Sequence, residues 1–152
     1  MNPVRGKQKM DRENWIGLLG SADLADLEAG FEELNGGCDY VCIIGPETGM
    51  LMVQAKTDGS GSRFNLGEMT VTKCVLELKG QYLGTGWVMG SDFRHAELAA
   101  LFDGLLQDPD HHDRLMATLI QRLEEKERVK RDHLLKDVSD TKVEFFTLKR
   151  GE

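Results

Sequence analysis

A chain of 152 residues with 40% hydrophobic and 30% charged side chains has the size and balance of one ordinary folded domain, which excludes disordered, fibrous and multidomain classes. A formal net charge of −7 sets it against phosphate backbones and anionic bilayers, so neither nucleic acid nor a membrane surface is expected as a partner. No run nears the roughly 18 apolar residues of a membrane-spanning helix, and the basic run from Arg5 to Lys9 leads into Asp11, Arg12 and Glu13, unlike a secretory signal, so a cytoplasmic protein is expected.

Residues 1–10 are expected to form a flexible tail on a single domain spanning 1–152. From Asp11 to Leu34, apolar residues recur at helical spacing: Trp15, Ile16, Leu18 and Leu19, then Leu24, Leu27, Phe31 and Leu34. Gly20-Ser21 interrupts the pattern. Two short helices, or one broken there, are predicted, with Ser21 capping the second and Gly36-Gly37 ending it.

The segments DYVCII, GMLMVQAK, EMTVTKCVLEL and QYLGTGWVM are rich in β-branched and aromatic residues and predict four strands. Their connections, GPET, TDGSGSRFNLG and KG, are mostly too short for crossover helices, so an antiparallel meander follows. Val71 and Val75 share one face while Thr70, Thr72 and Cys74 share the other, as in a sheet packed on one side and wet on the other. Gly84 and Gly86 fall together on one face, a candidate contact surface that another backbone can approach. Cys38, Cys42 and Cys74 are odd in number, lie in apolar runs and read as free, buried thiols.

After Gly90 the helical period returns at Ala96, Ala99, Ala100, Leu105 and Leu106, with Asp92 as the cap and Asp108-Pro109 as the stop. Asp110 is predicted to cap a second helix carrying Leu115, Leu119, Ile120 and Leu123, densely charged from Glu124 to Lys136 as a solvated or partner-facing extension. In the closing KVEFFTLKR, Val143 and Phe145 face one way and Phe146 and Leu148 the other. That pattern predicts a strand added to this sheet or to a partner's. The expected class is α+β.

HAE at His95–Glu97 resembles the start of a zinc deaminase signature, a ligand followed by a proton-shuttling glutamate. That chemistry needs a downstream P-C-x-x-C pair, and every cysteine precedes His95. The competing reading makes Asp92 a cap, Glu97 a carboxylate near the positive helix end, and His95 a hydrogen-bonded structural histidine. The loop Asp58–Gly67, with Arg63, could hold a phosphate on exposed amides, but it matches neither a P-loop nor G-x-G-x-x-G, and a plain connection is favoured. His111 and His112, beside Asp108, Asp110 and Asp113, are adjacent and should point apart. No metal site or serine-nucleophile motif is assigned.

Taken in order, ETGMLMVQAKTDGSGSRFNLGEMTVTKCVLEL, GTGWVMGSDFRHAELAALFDGLLQ and VEFFTLKRG make the chain resemble the PhnG subunits of the bacterial carbon–phosphorus lyase system, from about the Trp15 helix to Gly151. The resemblance implies a core complex with PhnH, PhnI and PhnJ, joined by PhnL. The complex transfers an alkylphosphonate to the ribose anomeric carbon of MgATP and displaces adenine. PhnG is then an accessory and architectural subunit without a cofactor, and indeed this sequence has neither a cluster-binding cysteine array nor a P-loop.

One departure stands out. The family pattern G-R-D-x-x-H-A-E has Ser91 here in place of its arginine, with Arg94 one turn onward as a substitute. Arg63, Ser91, Asp92, His95 and Glu97 are accordingly candidate substrate or intersubunit contacts, and Trp87, Phe145 and Phe146 candidate interface residues. The competing functions are a stand-alone metal-dependent nucleotide hydrolase or deaminase-like enzyme using His95 and Glu97, and a small-molecule binding module built on the Arg63 loop.

Overall fold

The computed structural model describes residues 10–35, 38–57 and 61–141. Two helices, α1 (Arg12–Ser21) and α2 (Leu24–Glu33), precede a three-stranded antiparallel sheet of β1 (Tyr40–Lys56), β2 (Arg63–Leu78) and β3 (Tyr82–Met89), in the order β1-β2-β3. Then come α3 (Phe93–Gln107), α4 (Pro109–Leu115) and α5 (Gln121–Asp140), the last two joined through a π-helical turn at Met116–Ile120. This is the expected α+β architecture.

The details differ from expectation where local signals compete. The first two predicted strands are one, so the described sheet has three strands rather than four. GPET does not turn the chain but passes through β1 as irregular register between Cys42 and Glu47. Pro46 is tolerated because β1 is an edge strand, where a missing N–H need not break a ladder. The cap of α2 is Asp23 rather than Ser21. Ser21 instead ends α1, its hydroxyl donating to the Leu18 carbonyl at 3.3 Å. Asp108, not Asp110, caps α4: its carboxylate accepts from the Asp110 amide at 3.1 Å, because Pro109 suits the first helical position and sets the start earlier. The predicted C-terminal strand and the Gly36-Gly37 stop lie outside the described residues.

The centre of the molecule is α3. Leu98, Leu101, Phe102, Leu105 and Leu106 are all buried, and the helix is apolar on nearly every side, as befits one enclosed between layers. One layer is the sheet face carrying Thr72, Cys74, Leu76, Leu78 and Val88. The other is helical, with Trp15 and Leu19 of α1, Leu27 of α2, and Leu115, Leu119, Ile120 and Leu123 near the α4–α5 junction. Met10 already packs against this core. Each fully buried leucine contributes about 1.5–3 kcal/mol by leaving water.

Gly84 and Gly86 explain how α3 comes so close. A Cβ at Gly84 would be driven into the Ala100 carbonyl, and one at Gly86 into the Ala96 carbonyl. Ala96, Ala100 and Gly104 recur every fourth residue, so a stripe of small residues on the helix meets two glycines on the strand. The face predicted to be open for contact is thus filled by the chain's own helix.

Beyond Met89, which pairs with Val71, β3 has ended and β1–β2 continues alone as a two-stranded arm from the Met50–Thr70 pair to the Lys56–Arg63 pair. Here most side chains on both faces are exposed, with Val53, Ala55 and Met69 half-buried. α5 also leaves the body, since every residue from Arg128 to Asp140 is exposed, including Leu134, Leu135 and Val138. No helix among the described residues is long and apolar enough to cross a membrane.

Candidate functional site

The sequence concentrates its chemical candidates at the start of α3, and the structure places four of them there. Asp92 adopts the extended backbone of a cap, and its carboxylate accepts from the His95 amide at 3.1 Å. The His95 ring is buried, with Nε2 3.0 Å from the Leu19 carbonyl oxygen at the end of α1. A carbonyl only accepts, so Nε2 carries the proton and the ring ties α1 to α3. Ser91 is exposed just before the cap.

Glu97 turns toward β1, where it accepts a 2.5 Å hydrogen bond from the Tyr40 hydroxyl. That bond, reinforced by burial, pushes the Tyr40 hydroxyl up to about 12. Arg94 is spent in the same cluster: it donates to Glu28 at 3.0 and 3.4 Å, lies 3.5 Å from Glu97, and stacks over Phe31 at 4.9 Å. The Glu28 hydrogen bonds raise the already high affinity of Arg94 for its proton. A guanidinium held in this way ties α2 to α3.

Nearby, the thiols of Cys42 and Cys74 come together on the α3 side of the sheet. Burial, and then the neighbouring Cys42 thiol, push Cys74 up to about 12, so it stays a neutral, inert thiol. The expectation of three buried cysteines is corrected in part: Cys74 is buried, Cys38 half-buried, and Cys42 exposed because it sits on the edge strand.

The most heavily bonded group is one that periodicity did not mark. Asp103, fully buried in α3, accepts from Arg12 at 2.8 and 3.2 Å, from Trp15 Nε1 at 2.8 Å and from the Thr85 amide at 2.8 Å. It joins α1, α3 and the outer edge of β3. The available signal was a charged residue inside AALFDGLL, since a buried carboxylate requires partners. At the far end of α3, Asp108 pairs with Lys79 at 2.8 Å and with His111 at 2.9 Å. The Lys79 hydrogen bond, against burial and helped by the Asp110 amide and His111, lowers its pKa to about 2. His112 turns away, as expected of adjacent histidines, to the Leu106 carbonyl at 2.6 Å and edge-on to Trp15.

Arg63 does not join this group. It pairs with Lys56 at the far end of the arm, eight residues beyond the Val71 position where β3 stops, or about 27 Å along the strand. Trp87 lies on the sheet face away from α3, 43% exposed, with Lys73 Nζ 6.0 Å from its ring centroid. Phe145 and Phe146 are outside the described residues.

A cleft of about 150 Å³ between α2 and the π-helical turn, lined by Glu33, Arg114, Thr118 and Arg122 over leucines, is smaller than the roughly 300–1,000 Å³ of small-molecule pockets. Among the described residues, no three His, Cys, Asp or Glu side chains converge as a metal site. At the α3 start, His95 and Arg94 hold α3 to the neighbouring helices and Glu97 holds it to the sheet.

Residues 10–151 match the family described as "Phosphonate metabolism protein PhnG". The chain belongs to the PhnG family. It is also 35% identical over 144 residues to the Rhizobium meliloti (strain 1021) protein named "Alpha-D-ribose 1-methylphosphonate 5-triphosphate synthase subunit PhnG", covering 93% of this chain and 90% of that protein. The matched residues span both the body and the exposed arm of this PhnG-family chain.

Proposed function

We propose that the chain is an accessory, architectural subunit of a ribose 1-methylphosphonate 5-triphosphate synthase in organic phosphonate catabolism. The complex transfers an alkylphosphonate to the ribose C1 of MgATP and releases adenine. The observation that carries this reading is the 35% identity, nearly end to end, with a protein bearing that subunit name. The geometry supports a non-catalytic part in it: Asp92, His95 and Glu97 serve the fold, while many large apolar side chains face outward.

In this reading the partners are PhnH, PhnI and PhnJ, with PhnL joining transiently, in the cytoplasm. MgATP is the substrate of the complex, and this chain brings no cofactor. Arg63, Ser91 and Trp87, exposed and outside the core, are the candidates for intersubunit contact. Co-expression of the full chain with PhnH, PhnI and PhnJ, followed by size analysis, tests the proposal. Co-elution in one particle, with adenine release that requires the chain, is expected. Elution of the chain alone with all partners present would refute it.

A further inference from the structure

The β1–β2 arm is a structural oddity for a protein that otherwise seals its core. From Met50–Thr70 to Lys56–Arg63 it is two-stranded, and an isolated ribbon of two strands is marginal in water. Its apolar side chains do not gather on one face. Met50 and Met52 point to the α3 side and are 65% and 55% exposed; Leu51 and Phe64 point to the opposite side and are 50% and 43% exposed. Strand alternation puts them on opposite faces, so no single flat surface can cover both sets.

We propose that the arm inserts into an apolar cleft of another subunit, which wraps both of its faces. The proposal rests on the subunit reading above and adds to it the element that docks and the shape of its receptor. Area decides between a cleft and a flat contact. Seven residue pairs at about 3.4 Å make a ribbon about 24 Å long and about 10 Å wide, so one face offers about 240 Å² and both faces about 480 Å² before the edges. A standard stable interface buries about 800 Å² per partner. One covered face falls far short, whereas two faces and both open edges approach it. A second copy laid face to face would cover only one side of each arm, which argues for a different partner.

Charge adds the chemistry of the cleft's far end. Lys56 and Arg63 are direct cross-strand partners, a like-charge pair that is unfavourable in a free hairpin. No carboxylate among the described residues forms an ion pair with either, although the chain as a whole is acidic. The receptor is therefore a cleft with apolar walls closed by carboxylates.

The test uses the full chain co-expressed with the remaining subunits of the synthase, the tag being placed on another subunit. Met50→Glu with Met52→Glu burdens one face, Leu51→Glu with Phe64→Glu the other, and Lys56→Glu with Arg63→Glu the tip. Each face variant is expected to cut co-purification at least tenfold, and the tip variant to weaken it and its dependence on salt. The isolated variants should keep the thermal midpoint and near-ultraviolet dichroism of the parent. If the parent chain assembles and both face variants assemble equally well, the arm does not dock and the subunit reading still stands. Loss from one face alone replaces the cleft with a flat contact and overturns the proposal. An isolated chain that dimerises, with arm variants monomeric, assigns the arm to a second copy and overturns it too. Failure of the parent chain to assemble defeats the subunit reading itself.

Discussion

The two ends of the same β-hairpin live under different rules. Near its root, β2 lies between β1 and β3, and its inward residues Thr72, Cys74, Leu76 and Leu78 are buried beneath α3. Even the outer edge of β3 is closed there: Arg12 and Gln107 donate to the Leu83 carbonyl at 3.1 and 2.7 Å, and the Thr85 amide reaches Asp103. A few residues further along, the same strands continue with both faces in water. Among the described residues, no hydrogen bond from another element satisfies the outer edge of β1. Open edges and exposed apolar faces are hazards in a free protein, and a protein keeps them when a partner covers them.

Breaking the root should cost most. Asp103→Ala leaves Arg12 and the Trp15 and Thr85 N–H groups without their acceptor, and a loss of about 3–5 kcal/mol is expected in urea unfolding. Gly84→Ala or Gly86→Ala drives a methyl group into the α3 backbone; each should cost about 1–3 kcal/mol, read as a lower denaturation midpoint.

A smaller effect should appear in acid. The folded pKa of Asp108 is about 2 against an ordinary 3.8, so its contribution is complete above pH 3.8 and is lost as the pH falls through 2. The thermal midpoint should decline across that window, and Asp108→Asn should flatten this part of the decline while lowering stability at pH 7.

The smallest change should come from the arm. Leu51→Glu or Met52→Glu, exposed already, should move the stability of the isolated chain by no more than about 0.5 kcal/mol. Destabilisation comparable to the Gly84 variant would mean that the arm is held by the body, and the contrast between the two ends would fail.

Much of the root was readable because its signals are local. Helical spacing marked Leu98–Leu106 and the Trp15 helix, Asp92 announced a cap, and the KG turn joined two alternating strands. The Ser21 and Asp110 caps were misplaced because the choice among neighbouring Ser and Asp residues depends on where the chain must bend, not on the residues' similar capping ability. Gly84 and Gly86 were seen as permitting close approach, but the backbone that came close, at Ala100 and Ala96, lies 16 and 10 residues away in the following helix.

By itself, the sequence determined the α+β class, the run of helices and strands, the acidic character and the family pattern, since period, composition and motif order are properties of neighbouring residues. Only the tertiary structure decided that GPET continues one strand through an irregular stretch instead of turning, that Asp103 is the hub of the core, that His95 and Glu97 bond inward, and that the hairpin outruns its sheet. Each of these depends on which distant groups meet, and burial gives a carboxylate, a ring or an apolar side chain its role only after the chain has closed around it.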